Sequence, residues 1–178
     1  GYPWFKCRAR DEFISLPGVS LFSDNETLFH DIMKNALVAV NEFISDKENT
    51  TNLVEIDSPD ALLWFIYTIQ QFANKCGIHK AAEKYATVVF AILSFIKKHK
   101  HPNLFCHDQG LLYTNGKQVP VSWMNAVENG EPIVPRTGYL VEINALWYNA
   151  LKFAAELANV KGEDSQTDLY NYQAEMTA

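Results

Sequence analysis

Apolar residues recur with the period of an α-helix in four long segments, and this pattern most constrains what the chain can fold into. The segments lie within residues 29–43, 62–73, 82–96 and 143–158, with apolar positions spaced i, i+3, i+4, i+7. Such spacing gives a helix one apolar face, which has to be buried against other elements. Since each face needs a partner, we predict an all-α domain built from antiparallel helix pairs.

Local residues mark where these helices begin and end. Ser23 or Asp24 is predicted to cap the first long helix, and the Ser-Pro-Asp at 58–60 is predicted to begin the second. Gly77 is predicted to end the second helix and Gly162 the fourth, with a fifth helix following.

A long irregular segment, residues 102–140, separates the third and fourth long helices. Within it, residues 104–113 and 118–122 are predicted to form short strands around Asn115-Gly116, a strong turn signal. Connections of this length are uncommon inside a compact domain and are usually functional. We therefore expect this segment to contribute to the functional site.

Composition and charge argue against several functional classes. The 178 residues have a formal net charge of -6, which disfavours nucleic-acid binding and suits a neutral ligand. No apolar run is long enough to span a membrane, so no membrane partner is expected. Three dispersed cysteines indicate reduced thiols and a cytoplasmic location.

Neither a cofactor nor a metal is expected. The chain has no Gly-rich phosphate loop or nucleophile elbow. Histidines and a cysteine lie within residues 99–107, but they lack regular zinc-ligand spacing and lysines lie beside them. We predict that the basic run at 97–101 is the solvated end of a helix, where cations complement the helix dipole.

The stretch from 121 to 151 has the composition of a sugar-binding site. It combines aromatic rings with carboxylates, amides and a guanidinium group, which can stack on a sugar and reach its hydroxyls. Trp123 and Met124 are predicted to surround position 125 with apolar surface, which would raise the pKa of a carboxyl group there, as a general acid requires. The chain has Asn125 instead, whose amide can form a hydrogen bond but cannot supply a proton.

These residues resemble the glucosidase domain of glycogen debranching enzymes, the amylo-α-1,6-glucosidase family. That family reads Trp-Met-Asp where this chain has Trp-Met-Asn at 123–125, and it shares the Pro-Arg-x-Gly at 135–138 and the helix beginning Val-Glu-Ile at 141. Two further segments match: the Arg-Asp at 10–11, which leads to Ile-x-Leu-Pro-Gly, and the Asp-Ala-x-Leu-Trp-Phe at 60–65.

The resemblance implies an (α/α)6 barrel, of which residues 1–178 would form the N-terminal half as a single domain. It implies hydrolysis of the α-1,6-linked branch glucose of glycogen or another branched α-glucan, with inversion. Inversion uses two carboxyl groups roughly 6.5 to 9.5 Å apart. The base of the family is a Glu in the second half of the barrel, so we expect the chain alone to be inactive. Its uncovered helix faces would favour self-association.

The resemblance also assigns site residues. Asn125 occupies the position of the catalytic acid, so either Glu142 or Glu128 supplies the proton in its place or the chain is catalytically weak. The residues expected to bind substrate are Trp4, Arg10, Asp11, Asp60, Trp64, Trp123 and Arg136.

Other interpretations of the same residues remain open. Arg10 can form a plain ion pair, Asp60 can stabilise a helix dipole, and Trp64 can pack in the core. Arg136 either pairs with Glu142 or contacts sugar. At the level of function, the chain is a non-catalytic glucan-binding module in one alternative and a different inverting α-glucosidase on the same scaffold in another.

Overall fold

The structure is a computed structural model that describes residues 6–117 and 119–178, a part of the chain that contains six α-helices. They are α1 (Ala9–Val19), α2 (Glu26–Ile44), α3 (Ala61–Cys76), α4 (Ile78–Lys97), α5 (Val141–Val160) and α6 (Asp164–Thr177). Four of the helices coincide with the four apolar stripes, and the prediction of a mostly helical domain is confirmed. Within the described residues, no helix has the length and apolar character needed to cross a membrane.

Short strand pairs join the loops at one end of the helices. They are β1 (Cys7–Arg8) with β2 (Leu53–Val54), β3 (Leu104–Cys106) with β4 (Leu112–Thr114), and β5 (Val127–Glu128) with β6 (Glu131–Pro132). The first pair is parallel and the other two are antiparallel. The parallel pair places the start of α1 beside the segment that precedes α3.

The predicted hairpin around Asn115-Gly116 is wrong. β3 pairs with β4 through a turn at residues 107–111, in which Gly110 adopts a φ of +87°. After β4 the chain does not turn back, because Thr114 exchanges two backbone hydrogen bonds of 2.9 Å with Gly138. Residues 119–122 form no strand.

Gly116 serves a close backbone approach instead of a hairpin turn. A Cβ atom at this position would lie 2.5 Å from the carbonyl oxygen of Arg136, so only a glycine fits. Its N–H also donates to the hydroxyl of Thr137 at 3.1 Å. The Asn-Gly pair therefore marks a position that requires glycine, but the reason is close contact with the backbone of Arg136 and not a hairpin turn.

Helix boundaries are partly as predicted. Asn25 caps α2, with its side-chain oxygen accepting from the N–H of Leu28 at 3.0 Å, so the prediction of Ser23 or Asp24 is wrong. Gly77, with a φ of +102°, ends α3 as predicted. The end of α5 at a glycine, Gly162, and a following helix are also confirmed.

Aromatic side chains fill the core between the helices. Phe29 of α2 stacks on Phe72 of α3 with ring centroids 5.2 Å apart, and Phe13 of α1 meets Phe65 of α3 edge to face at the same distance. All four rings are fully buried. Burial of each ring contributes roughly 1.5–3 kcal/mol to stability through the hydrophobic effect. Because both ring pairs include a residue of α3, this helix joins α1 to α2.

Side chains of α5 hold the irregular segment in place. Asn144 accepts from the backbone N–H of Leu112 at 2.8 Å and donates to its carbonyl at 3.0 Å, as a neighbouring strand would. One turn later the indole N–H of the buried Trp147 donates to the carbonyl of Gly110 at 3.0 Å. The β3–β4 hairpin is thus fixed on α5.

The basic run at 97–101 is solvated at the end of α4 as predicted, except for its last residue. His101 is only 1% exposed and packs edge to face against Phe43 and Phe95. Its Nδ1 accepts from the backbone N–H of Asn103 at 3.1 Å, so the neutral ring carries its proton on Nε2. Burial lowers the pKa of His101 to about 4.

We expect His101 to make stability depend on pH. In the unfolded chain the ring binds a proton below its ordinary pKa of 6.5, whereas the folded ring stays neutral down to about 4. The free energy of unfolding should therefore be highest above pH 6.5 and fall by on the order of 3 kcal/mol as the pH drops to 4. Urea denaturation across this range measures the change.

His101→Asn keeps an acceptor for Asn103 but cannot be protonated, so this variant should lose that share of the pH dependence. His79→Asn, at an exposed position, is the control and should retain it. Equal pH dependence in the wild type and His101→Asn would contradict the assignment.

Candidate functional site

A cleft of about 410 Å³ lies where the start of α1, the segment before α3 and the long irregular segment meet. One wall consists of Arg8 and Arg10 together with the turn at 55–58. The opposite wall is contributed by the loop at 119–127, including Asn125. Two of the predicted site residues, Arg10 and Asn125, therefore face the same space.

A buried ion pair forms the back of the first wall. Nε of Arg10 donates to Oδ2 of Asp60 at 2.6 Å and Nη2 donates to Oδ1 at 2.8 Å, while Nη2 also reaches the hydroxyl of Ser58 at 2.5 Å. Arg10 is 7% exposed and Asp60 3%. Arg10 and Asp60, both predicted site residues, are thus partners, and Ser58 supports them instead of capping α3.

The acidic partner of Arg10 is Asp60 and not the adjacent Asp11. Asp11 is exposed in the first turn of α1, where a carboxylate complements the helix dipole. Successive residues of a helix point in different directions, so Arg10 turns inward while Asp11 turns toward solvent. Nη1 of Arg10 has no hydrogen bond to any described residue, which leaves donors of this guanidinium free for a ligand.

A second polar group joins the loop to the start of α5. Arg136 donates to the carboxylate of Glu142, in the first turn of α5, and to the hydroxyl of the buried Ser122 at 3.1 Å. Of the two interpretations of Arg136, the structure shows the ion pair with Glu142. Through its hydrogen bond to Ser122, Arg136 also holds the loop at a point three residues before Asn125.

The apolar surround predicted for position 125 does not form around Trp123. Val121 and Ser122 take the buried positions of this loop, and the Trp123 side chain is 66% exposed. Met124 and Asn125 are half-buried. An exposed indole face remains available for stacking on a ligand, so substrate binding by Trp123 stays a prediction.

Other predicted positions lie elsewhere. Trp64 is half-buried, packs against the core and meets Tyr67 edge to face at 5.5 Å. Asn149, seven residues after Glu142 in α5, donates to Gln70 at 2.8 Å and so ties α5 to α3. Trp4 lies outside the described residues. The substrate-binding roles of Trp4 and Trp64 stay predictions.

Sequence reasoning missed several residues of the cleft, including Arg8, Glu55, Asp57 and Asn103. Glu55 pairs with Arg8 at 3.2 Å, Asp57 lies in the same turn, and Asn103 reaches in from the segment after α4. The clustered acids at 55, 57 and 60 were a usable signal, but only the last was singled out. In the part of the chain that the structure describes, no three His, Cys, Asp or Glu side chains are arranged to hold a metal ion.

We expect the Arg10–Asp60 pair to be necessary for the fold. Asp60→Asn keeps the volume and leaves Arg10 as a buried charge without its counter-ion, which should lower the free energy of unfolding by about 3–5 kcal/mol. The control Asp11→Asn removes an exposed acid nearby and should cost less than about 1 kcal/mol. Urea denaturation followed by circular dichroism measures the free energy of unfolding of both variants. Similar losses of stability in the two variants would contradict the importance of the buried pair.

Comparison with known proteins gives a family match over the whole chain. The family model described as amylo-alpha-1,6-glucosidase matches residues 1–178. Neither the search of curated proteins nor the search of solved structures found a match.

Proposed function

The chain belongs to the amylo-alpha-1,6-glucosidase family, and from this premise we propose that its cleft binds a glucosyl unit of a branched α-glucan. The family is one of glycoside hydrolases, so the protein is expected to be a glycosidase. Within that class, we assign the chain to the debranching reaction, the hydrolysis of an α-1,6-linked branch glucose with inversion.

One observation supports this proposal most: Arg10, held by Asp60, and Asn125 line a single cleft of about 410 Å³. Small-molecule sites have volumes of roughly 300–1,000 Å³, so a sugar unit fits. A planar guanidinium that is fixed by a carboxylate offers its remaining N–H groups to hydroxyls in a set direction. The amide of Asn125 faces them from the other wall and can both donate and accept.

The position of Asn125 also limits what the chain can do alone. An amide can hydrogen-bond to the glycosidic oxygen but cannot protonate it. Glu142, proposed as the displaced acid, is ion-paired with Arg136, and Glu128 is exposed in β5. Glu142 would have to leave this partner to reach a substrate. We therefore propose that residues 1–178 bind sugar but do not turn it over.

The architecture that accompanies this function is half of an (α/α)6 barrel, a part of a larger glucosidase domain. Helix faces left for the other half should show apolar side chains at the surface. Val141 at the start of α5 is 83% exposed, and Tyr148 and Tyr172 are also exposed. These side chains are the ones through which we propose that the isolated chain self-associates.

A second candidate function is a non-catalytic glucan-binding module. It is favoured by Asn125, because a cleft is present while the position of the acid is occupied by an amide. Another inverting α-glucosidase on the same scaffold is the third candidate, and it differs only in the substrate.

We expect no glucose release when residues 1–178 are incubated with phosphorylase limit dextrin, together with saturable binding of that glucan in a calorimeter. The reason is the missing proton donor at Asn125. Release of glucose by the chain alone would contradict the first expectation. Absence of any binding would contradict the cleft as a glucan site.

A longer protein that contains this chain separates the candidate functions. Activity that Glu142→Gln abolishes supports an enzyme with a displaced acid. Activity that appears only in Asn125→Asp shows an enzyme that lost its proton donor. Saturable glucan binding without turnover in the wild type and both variants supports the binding module.

A further inference from the structure

Each arginine of the cleft already has an acidic partner, and one carboxylate is left over. Arg10 is paired with Asp60, and Nε of Arg8 lies 3.2 Å from a carboxylate oxygen of Glu55. The remaining acid of the cleft is Asp57, whose side chain is exposed and has no basic partner among the described residues. The fixed charges of the cleft therefore sum to one negative charge at Asp57.

The backbone holds Asp57 in a defined place. The N–H of Ser58 donates to the carbonyl of Glu55 at 3.1 Å, which closes a turn with Asp57 in its second half. The side-chain amide of Asn103 donates to the carbonyl of Asp57 itself at 3.2 Å. Ile56 on one side is buried, so the turn is anchored to the core, whereas Asp57 itself is exposed and lines the cleft. A charge on an anchored turn is preorganised, because little movement is needed to meet a ligand.

The opposite wall makes this charge the dominant one in the cleft. Asn125 is neutral, and the other lining residues of its loop, Val119, Pro120 and Val127, are uncharged. A positive charge on a bound ligand would be attracted to Asp57 without competition from that side.

We propose that Asp57 supplies the fixed negative charge that faces the positive charge of a glucosyl ring in its oxocarbenium-like state. This inference rests on the proposed function, because it assumes that the cleft holds a glucosyl unit. The role is electrostatic: no covalent bond to Asp57 forms and no proton leaves it. Glycoside cleavage passes through a ring that bears positive charge near the anomeric carbon, and a nearby carboxylate stabilises it.

The cleft should prefer a cationic sugar analogue to a neutral one of the same shape. A hydrogen bond to a charged group is stronger than a neutral one by enough to give a preference of about tenfold. The preference should shrink at high salt, because Asp57 is exposed and its field is screened.

The test compares two ligands on residues 1–178 by isothermal titration calorimetry at neutral pH. Isofagomine is a glucose-like iminosugar with a protonated nitrogen in place of the anomeric carbon, and 1,5-anhydroglucitol is a neutral analogue. We expect the wild type to bind isofagomine about tenfold more tightly. Asp57→Asn should bring the two affinities together while leaving that for 1,5-anhydroglucitol unchanged. The control Asp31→Asn, with an exposed acid on α2 that does not line the cleft, should keep the preference.

The outcomes distinguish this inference from the proposed function. If the wild type binds both ligands equally, or if Asp57→Asn weakens both by the same factor, the charge role of Asp57 is overturned and the sugar site stands. If the wild type binds neither ligand, both are overturned. Unchanged binding of the neutral ligand by Asp57→Asn also shows that the variant is folded, since the same cleft has to be present.

Discussion

The buried pair of Arg10 and Asp60 is the interaction on which the rest of the site depends. It joins the first turn of α1 to the residue before α3, and it is reinforced by Ser58. A buried ion pair contributes little net stability, but removal of one partner is costly because the other charge stays buried. The pair therefore constrains the geometry, because the folded chain has to hold these two segments together to avoid an unpaired buried charge.

The remaining parts of the cleft follow from the way in which the irregular segment is attached. Its hairpin is bound to α5 by Asn144 and Trp147, and its later part is bound to the same helix by Arg136 and Glu142. Because the segment is attached to α5 at two places, it holds Asn125 in one position opposite the wall that contains Arg8 and Arg10. The rigidity of the site thus comes from a helix that does not itself line the cleft.

The helices were predictable from the sequence because their signal is local. Apolar spacing of 3.6 residues and the glycines at 77 and 162 act within a few residues of the chain. The partners of Arg10, the turn around Gly110 and the exposure of Trp123 depend on contacts between distant segments, which no local pattern contains. Position 57 was missed for a related reason: an exposed acid in a turn is ordinary until a cleft is seen beside it.

The parallel pairing of β1 with β2 sets the order in which these parts assemble. Both α1 and α2 lie between the two strands, so closing this loop costs entropy that is recovered only after these helices have packed on α3. The wall that contains Arg8 and Arg10 should consequently form only after these helices have packed. A molecule arrested before this step would contain nearly all of its helices and give a native helical spectrum, yet it would have no cleft to offer. For this chain, a native helical spectrum therefore does not establish that the ligand-binding cleft has formed, and ligand binding has to be measured separately.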